Sequence, residues 1–335
     1  MTILVTGAAG FIGFHVALRL LDRGEAVVGL DNLNNYYDVS LKRSRLARLE
    51  TRPNYTHVHV DLANRPAMEA MFATHRPRRI VHLAAQAGVR YAASNPHVYV
   101  DSNVTGFLHV LEGCRQHGTD HLVFASTSSV YGANTALPYS ESQPTAHPLT
   151  LYAATKKANE GMAHSYAHLY GTPCTGLRFF TVYGPWGRPD MAFFSFTRDI
   201  IAGRPIEVFN QGRHSRDFTY VDDIAAGVVG ALDAPARGEP GWSGEVPDAA
   251  TSRAPYRIFN IGGGRPVALM RYIELLEQSI GRKADIRLRP LQPGDVPDTA
   301  ADISDLSTAI GYQPRTPVEQ GVPNFVAWYR SYHGV

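Results

Sequence analysis

Residues 2–13 read Thr2-Ile3-Leu4-Val5-Thr6-Gly7-Ala8-Ala9-Gly10-Phe11-Ile12-Gly13. A strand-like run enters a glycine-rich turn, and an apolar stretch with helical spacing follows over 11–23. Glycines let the backbone turn tightly and approach a pyrophosphate closely. The helix that opens behind them presents unpaired N–H groups and partial positive charge to an anion. The third glycine allows close packing of helix on strand. The spacing is GxxGxxG rather than GxGxxG, but strand before and helix after are the context of a dinucleotide site. Gly7, Gly10, Phe11, Ile12 and Gly13 are its first candidate residues.

Working outward, apolar strand-like segments recur at 26–31, 55–60, 79–84, 121–126 and 173–180. Helical patterns lie between them near 41–50, 65–75, 97–117 and 150–170. Continuous apolar strands alternating with helices predict a parallel sheet covered on both faces, an α/β Rossmann-type doubly wound fold. Asp31 ends the second strand, 18 residues after Gly13. A carboxylate there accepts hydrogen bonds from ribose hydroxyls and repels a 2′-phosphate, which favours NAD over NADP. Asn32 follows it, and the nearest candidate phosphate clamps, Lys42 and Arg43, lie farther on. Asp61-Leu62, after the third strand, is placed for an adenine edge.

Beyond residue 181 segments shorten, and Pro and Gly interrupt them more often. Helices are expected near 191–202, 222–233, 267–280 and 317–332. The expected division is a dinucleotide-binding domain over 1–181 and a smaller α/β substrate domain over 182–335. Segments near 217–233 and 256–262 are expected to pack back onto the first. Residues 234–255, rich in Pro, Gly and Ala, read as an exposed, mobile surface loop without chemistry.

Composition narrows the function classes. The chain has 335 residues, 44% hydrophobic and 19% charged, which excludes a disordered chain or a coiled coil. A formal charge of +2 argues against a dedicated nucleic-acid binder, which needs a basic face. No apolar run approaches the ~18 residues of a membrane span. Two cysteines, Cys114 and Cys174, are too few for a disulfide framework or a zinc site. His164 and His168 lie four apart on a helix, but Ser165 stands where a zinc protease carries glutamate, so no metal is expected. No signal peptide precedes the first strand, and a cytoplasmic location is expected.

The chemistry-bearing pattern is Tyr152-Ala153-Ala154-Thr155-Lys156. An i, i+4 spacing puts both side chains on one helix face. A tyrosine with a pKa of about 10 is a poor base at neutral pH, and a neighbouring ammonium favours its phenolate. Ser126-Thr127-Ser128-Ser129 follows a predicted strand. Ligands of parallel sheets sit at the carboxyl ends of strands, where these hydroxyls can share a sugar proton with Tyr152.

Taken together, Thr6–Gly13, Asp31, Thr127 and Tyr152/Lys156 resemble the extended short-chain dehydrogenase/reductase family. Longer strings are more specific. Asp31-Asn32-Leu33-Asn34-Asn35-Tyr36-Tyr37-Asp38, His82-Leu83-Ala84-Ala85-Gln86-Ala87-Gly88-Val89-Arg90-Tyr91 and Gly184-Pro185-Trp186-Gly187-Arg188-Pro189-Asp190-Met191 resemble UDP-glucuronate 4-epimerases. So do Arg216-Asp217-Phe218-Thr219-Tyr220-Val221-Asp222-Asp223 and Gln292-Pro293-Gly294-Asp295-Val296-Pro297. The resemblance implies tightly bound NAD, regenerated each turnover, and a UDP-sugar substrate whose C4 is inverted through a 4-keto intermediate. It implies that Tyr152 is the base, Thr127 holds the 4-hydroxyl and Lys156 holds the nicotinamide ribose. It adds Asn35, Leu83, Ala84, Ala85, Asn103 and Phe180 to the cofactor site, and Gln86 and Arg90 to the substrate site.

A 4-keto glucuronate is a β-keto acid that loses CO₂ unless its carboxylate is held. Thr127, Ser128, Ser129 and Thr181 are candidate donors for that task, with Arg188 as a cation. Thr181 stands where neutral-sugar relatives carry asparagine. Arg216 resembles the family's diphosphate arginine and Asp295 its ribose carboxylate. Gln292 stands where several relatives carry arginine, and Arg289 is the candidate to compensate. The resemblance also implies a homodimer built on helices 97–117 and 150–170. A decarboxylase, a neutral UDP-sugar 4-epimerase and a non-catalytic dinucleotide sensor remain alternatives.

Overall fold

The computed structural model describes residues 1–292 and 295–335. Pro293 and Gly294 of the string quoted above lie outside the described residues. Six strands follow the expected rhythm: β1 (Thr2–Thr6), β2 (Ala26–Asp31), β3 (Tyr55–His59), β4 (Arg79–His82), β5 (His121–Thr127) and β6 (Cys174–Phe179). Six more come later: β7 (Thr181–Tyr183), β8 (Ile206–Val208), β9 (Ser215–Tyr220), β10 (Tyr256–Ile261), β11 (Pro266–Ala268) and β12 (Ile286–Leu288). A seven-stranded sheet runs β10-β6-β5-β4-β1-β2-β3, every neighbouring pair parallel. The order reverses between β1 and β4, which makes the crevice above those two strands the topological switch point.

The helices are α1 (Phe11–Asp22), α2 (Val39–Glu50), α3 (Arg65–His75), α4 (Tyr91–Ser94), α5 (Pro96–Tyr99), α6 (Gly106–His117), α7 (Leu151–Tyr170), α8 (Ala192–Ile201), α9 (Val221–Asp233), α10 (Leu269–Ile280), α11 (Ser304–Ile310) and α12 (Val318–His333). Side-chain caps set several starts. Asp38 accepts from the Ser40 amide, which begins α2 two residues before the expected position 41, and Asn64 and Thr150 cap α3 and α7. Two apolar clusters cover the faces of the sheet. One gathers Phe14, Leu20, Ile224 and Val228 with the C-terminal helices, and the other gathers Phe72, Phe107, Leu111 and Ala163.

Two expectations need revision, and four short strands were not foreseen. The helix expected over 97–117 is α5, a π-helical stretch (Val100–Thr105) and α6. The wide turn carries the buried Asn103, which hydrogen-bonds the amide and carbonyl of Gln86. The three-residue strands β7, β8, β11 and β12 are too short for periodicity to register. Residues 234–255 are not simply exposed. Val246 is 83% exposed, but Ala250 and Ala254 pack beside Tyr256 in the second cluster. Trp242 Nε1 donates to the Asp248 carbonyl at 3.1 Å and Arg253 Nε to the Trp242 carbonyl at 3.0 Å. The segment must deliver the chain to the sheet edge at β10, and that tethers its second half.

Candidate active site

At the switch point the glycine turn is held against β4. Gly7 has φ +72°, and a Cβ there would lie 2.8 Å from the Ala84 amide nitrogen. A Cβ on Gly13 would lie 2.0 Å from the Gly7 carbonyl oxygen, so α1 can start this close only as glycine. The Thr6 hydroxyl accepts from the Ala84 amide (3.1 Å) and faces His82 Nδ1 (2.8 Å). Burial, reinforced by the Lys156 charge, pushes the His82 pKa down to about 3, so its ring is neutral.

Asp31 Oδ2 accepts the Ala9 amide (3.1 Å) and Oδ1 the Leu33 amide (2.8 Å). The carboxylate is thus pinned beside the glycine turn, with lone pairs left for a ribose. Asn32 donates to Asp61 Oδ2 at 2.8 Å, joining the ends of β2 and β3. Arg45 on α2 is 0% exposed. It donates to the carbonyls of Ala9 (2.9 Å), Trp186 (2.6 Å) and Gly187 (3.2 Å), and to the Tyr37 hydroxyl. One buried cation therefore ties the glycine turn to the 184–191 segment.

The other end of the cleft belongs to β5 and α7. Tyr152 and Lys156, one turn apart on α7, line the same wall as Thr127 from the end of β5. Lys156 is 2% exposed, and burial lowers its pKa to about 8. Burial raises the Tyr152 pKa, while the charge of Arg188 and the polar Thr127 hydroxyl nearby pull it back. The Thr127 hydroxyl also accepts the Ser129 amide at 3.2 Å. Beneath this wall, Ser126 Oγ donates to Glu160 (2.7 Å), and Glu160, 2% exposed, forms a bidentate pair at 2.9 and 3.0 Å with Arg178, 0% exposed.

One cleft gathers Gly7, Gly10, Phe11, Ile12, Gly13, Asp31, Asn32, Asp61, Leu62, Leu83, Ala84, Ala85, Gln86, Thr127, Tyr152, Lys156, Phe180 and Arg188. Other expected residues stand off it. Asn35 is exposed, and its neighbour Asn34 lines the cleft instead. Asn103 acts from behind by holding Gln86. Ser128 and Ser129 form the turn after β5, and Thr181 opens β7. Arg90 is exposed, its guanidinium 5.3 Å from the Phe209 ring centroid. Arg216 sits on β9, donating to Asp295 Oδ1 (3.1 Å) and to the Pro297 carbonyl. The Gln292 side-chain oxygen is buried and has no hydrogen-bond partner among the described residues, and Arg289 is paired with Glu207 at 2.7 Å.

Sequence reasoning missed Tyr36, Tyr37 and Met191 on the cleft wall, and treated Lys42 as too distant, although it lines the cleft and donates to Asn34 at 2.7 Å. Tyr36, Tyr37 and Met191 lie inside strings already singled out, which was a usable signal. Arg45 left none, because an arginine on a polar-looking helix reads as a surface charge.

The site fits a dinucleotide on its own evidence. Two glycines leave backbone space where a Cβ would clash, a pinned carboxylate ends β2, and a buried ammonium stands beside a tyrosine. Residues 3–262 match the model of the NAD dependent epimerase/dehydratase family. The chain is 48% identical to UDP-glucuronate 4-epimerase 1 of Arabidopsis thaliana, over 100% of this chain and 78% of that protein. Its fold is similar to a variant UDP-glucuronic acid 4-epimerase from Bacillus cereus solved with UDP-4-deoxy-4-fluoro-glucuronic acid and NAD. The TM-score is 0.88 at 32% identity, covering 99% of this chain and 100% of that one. It is also similar to the Thermotoga maritima UDP-glucose 4-epimerase solved with UDP-glucose, with a TM-score of 0.85 at 29% identity over 99% and 100% of the two chains. The chain belongs to the NAD-dependent epimerase/dehydratase family.

Proposed function

We propose that this protein is an isomerase that interconverts UDP-glucuronate and UDP-galacturonate by NAD-dependent inversion at C4. The observation that carries the reading is the meeting of Tyr152, Lys156 and Thr127 with the glycine turn and Asp31 in one cleft. Relatives named as UDP-glucuronate 4-epimerases support the choice of sugar acid. NAD, when bound, supplies the acceptor and then the donor of the C4 hydride.

The chain's own residues supply the rest. Tyr152 takes the 4-hydroxyl proton and later returns it, and Thr127 orients that hydroxyl. Proton transfer of this kind contributes about 10²–10⁴-fold. Lys156, a buried cation, favours the phenolate of Tyr152. Gly7, Gly10 and Gly13 admit the pyrophosphate to the start of α1, and Asp31 accepts from the adenosine ribose. Arg216 on β9, paired with Asp295, is the diphosphate ligand in this reading. Thr127, Ser128, Ser129, Thr181 and Arg188 restrain the carboxylate, so that the C5–C6 bond stays out of alignment with the ketone and CO₂ is retained.

The division of labour follows the fold. Residues 1–181, with α9 and β10, carry the cofactor, and most of the remainder carries the nucleotide sugar. The reading also includes a homodimer through α6 and α7, where Leu108, Leu151, Leu169 and Tyr170 are exposed. No described helix is long and apolar enough to cross a membrane.

Incubation with UDP-glucuronate followed by NMR of the product tests the activity. UDP-galacturonate without net NADH is the expected result. UDP-xylose and CO₂ would identify a decarboxylase, and an unchanged substrate would leave a binding protein. A light-scattering mass of one chain at micromolar concentration would exclude the dimer.

A further inference from the structure

The segment that carries Arg188 is held from several sides. Trp186 occupies a left-handed conformation, φ 62°, that is costly for a bulky residue. Its carbonyl is gripped by the buried Arg45, and the Pro185 carbonyl by His15 Nε2 at 3.0 Å. Restraints of this density accumulate where a side chain must be aimed.

Arg188 itself is engaged along one edge only. Its Nε donates to Asp190 Oδ1 at 3.0 Å, and its Nη2 pairs with Asp190 Oδ2. Among the described residues no partner is found for Nη1, and Arg188 lines the cleft close enough for its charge to act on Tyr152. Asp190 is fixed in turn. Tyr36, from the loop that follows Asp31, donates its hydroxyl proton to Asp190 Oδ2 at 3.2 Å. The Tyr36 ring packs on Tyr91 at 4.9 Å, and its hydroxyl fills the space beside Gly88, where a Cβ would come within 2.1 Å. The pair is only partly exposed, with side-chain exposures of 24% and 27%.

We propose that Asp190 is a positioning residue. Clamped by Tyr36, it occupies the Nε/Nη2 edge of Arg188 and turns the Nη1 edge toward the sugar acid beside Tyr152. A guanidinium presents its donors in a rigid planar fork, so fixing one edge fixes the direction of the other. This inference rests on the functional reading above. Its consequence is distinct from that of a simple neutralising charge. A carboxylate that merely balanced Arg188 would weaken binding of an acidic substrate, and its removal would lower KM. A carboxylate that aims Arg188 acts on the reacting geometry, and its removal lowers kcat.

The test uses the NAD-loaded enzyme and UDP-glucuronate. Asp190→Asn is expected to lower kcat about 10- to 100-fold, the scale of a small misplacement at a reacting centre. NAD content, UDP binding and thermal midpoint are expected to stay near wild type. In an Arg188→Gln background the same change is expected to cost less than about twofold, since the two residues act as one unit. Tyr36→Phe, which removes only the clamp, is expected to lower kcat about 3- to 10-fold, and it carries the test alone if Asp190→Asn does not fold. An Asp190→Asn enzyme with wild-type kcat overturns the proposal, whether or not its KM falls, and so does an equal loss in the Arg188→Gln background. A wild-type enzyme that does not invert UDP-glucuronate overturns the functional reading itself, so the two failures are distinguishable.

Discussion

At the scale of single residues, Tyr152 and Lys156 set opposing demands. Tyr152→Phe removes the proposed proton acceptor and is expected to leave less than a tenth of wild-type turnover, while UDP still binds by calorimetry. Lys156 is a buried cation whose folded pKa, about 8, lies below its ordinary 10.5. The unfolded chain therefore binds more protons between those values, and this group makes the ligand-free protein more stable as pH rises from about 8 to 10.5. Below that window the buried charge costs about 3 kcal/mol. Lys156→Met is thus expected to raise the unfolding midpoint at pH 7 while turnover collapses, a cost of function visible in a melting curve. In the little activity that remains, the acid limb of the pH profile is expected to move up, because the phenolate keeps Arg188 but has lost the Lys156 charge. An unchanged limb would exclude that role for Lys156.

At the scale of elements, α7 is locked to β6 by Glu160 and Arg178, which join beneath the cleft wall and also hold Ser126. Breaking a buried ion pair leaves an uncompensated charge. Glu160→Gln is therefore expected to destabilise the protein by about 3–5 kcal/mol in denaturant titrations, with lost activity following lost folding. None of this network was legible beforehand. The strands β1 to β6 and the glycine turn announced themselves through apolar runs and local spacing. The cleft residues Thr127, Tyr152 and Asp31 were legible for the same reason, since each sits at a strand end or on one helix face. Arg45, Glu160 and Arg178 are polar residues buried by contacts far away in the chain, and sequence spacing carries no trace of such partners. The π-helical turn at Asn103 was hidden likewise, because its cause is the backbone of Gln86, 17 residues earlier.

At the scale of the whole molecule, the order of the strands in space departs from their order in the chain. β6 lies between β5 and β10, and all six of its residues are buried. The family match ends at residue 262, one residue beyond β10. A chain stopped after residue 181 is expected to aggregate on expression, where the full chain stays dispersed, because the side of its apolar edge strand that β10 covers is left unpaired. A monomeric, NAD-binding fragment of that length would disprove this.

The placement of β10 also has a temporal meaning. A ribosome that has finished β6 must add residues 180–255 before the partner of that strand exists. Throughout that interval the nascent sheet is open on one side, and its apolar margin is available to any extended peptide nearby. The last strand thus acts as a checkpoint: the seven-stranded sheet is completed only after residues 182–255, which include Arg188 and Arg216, have been made.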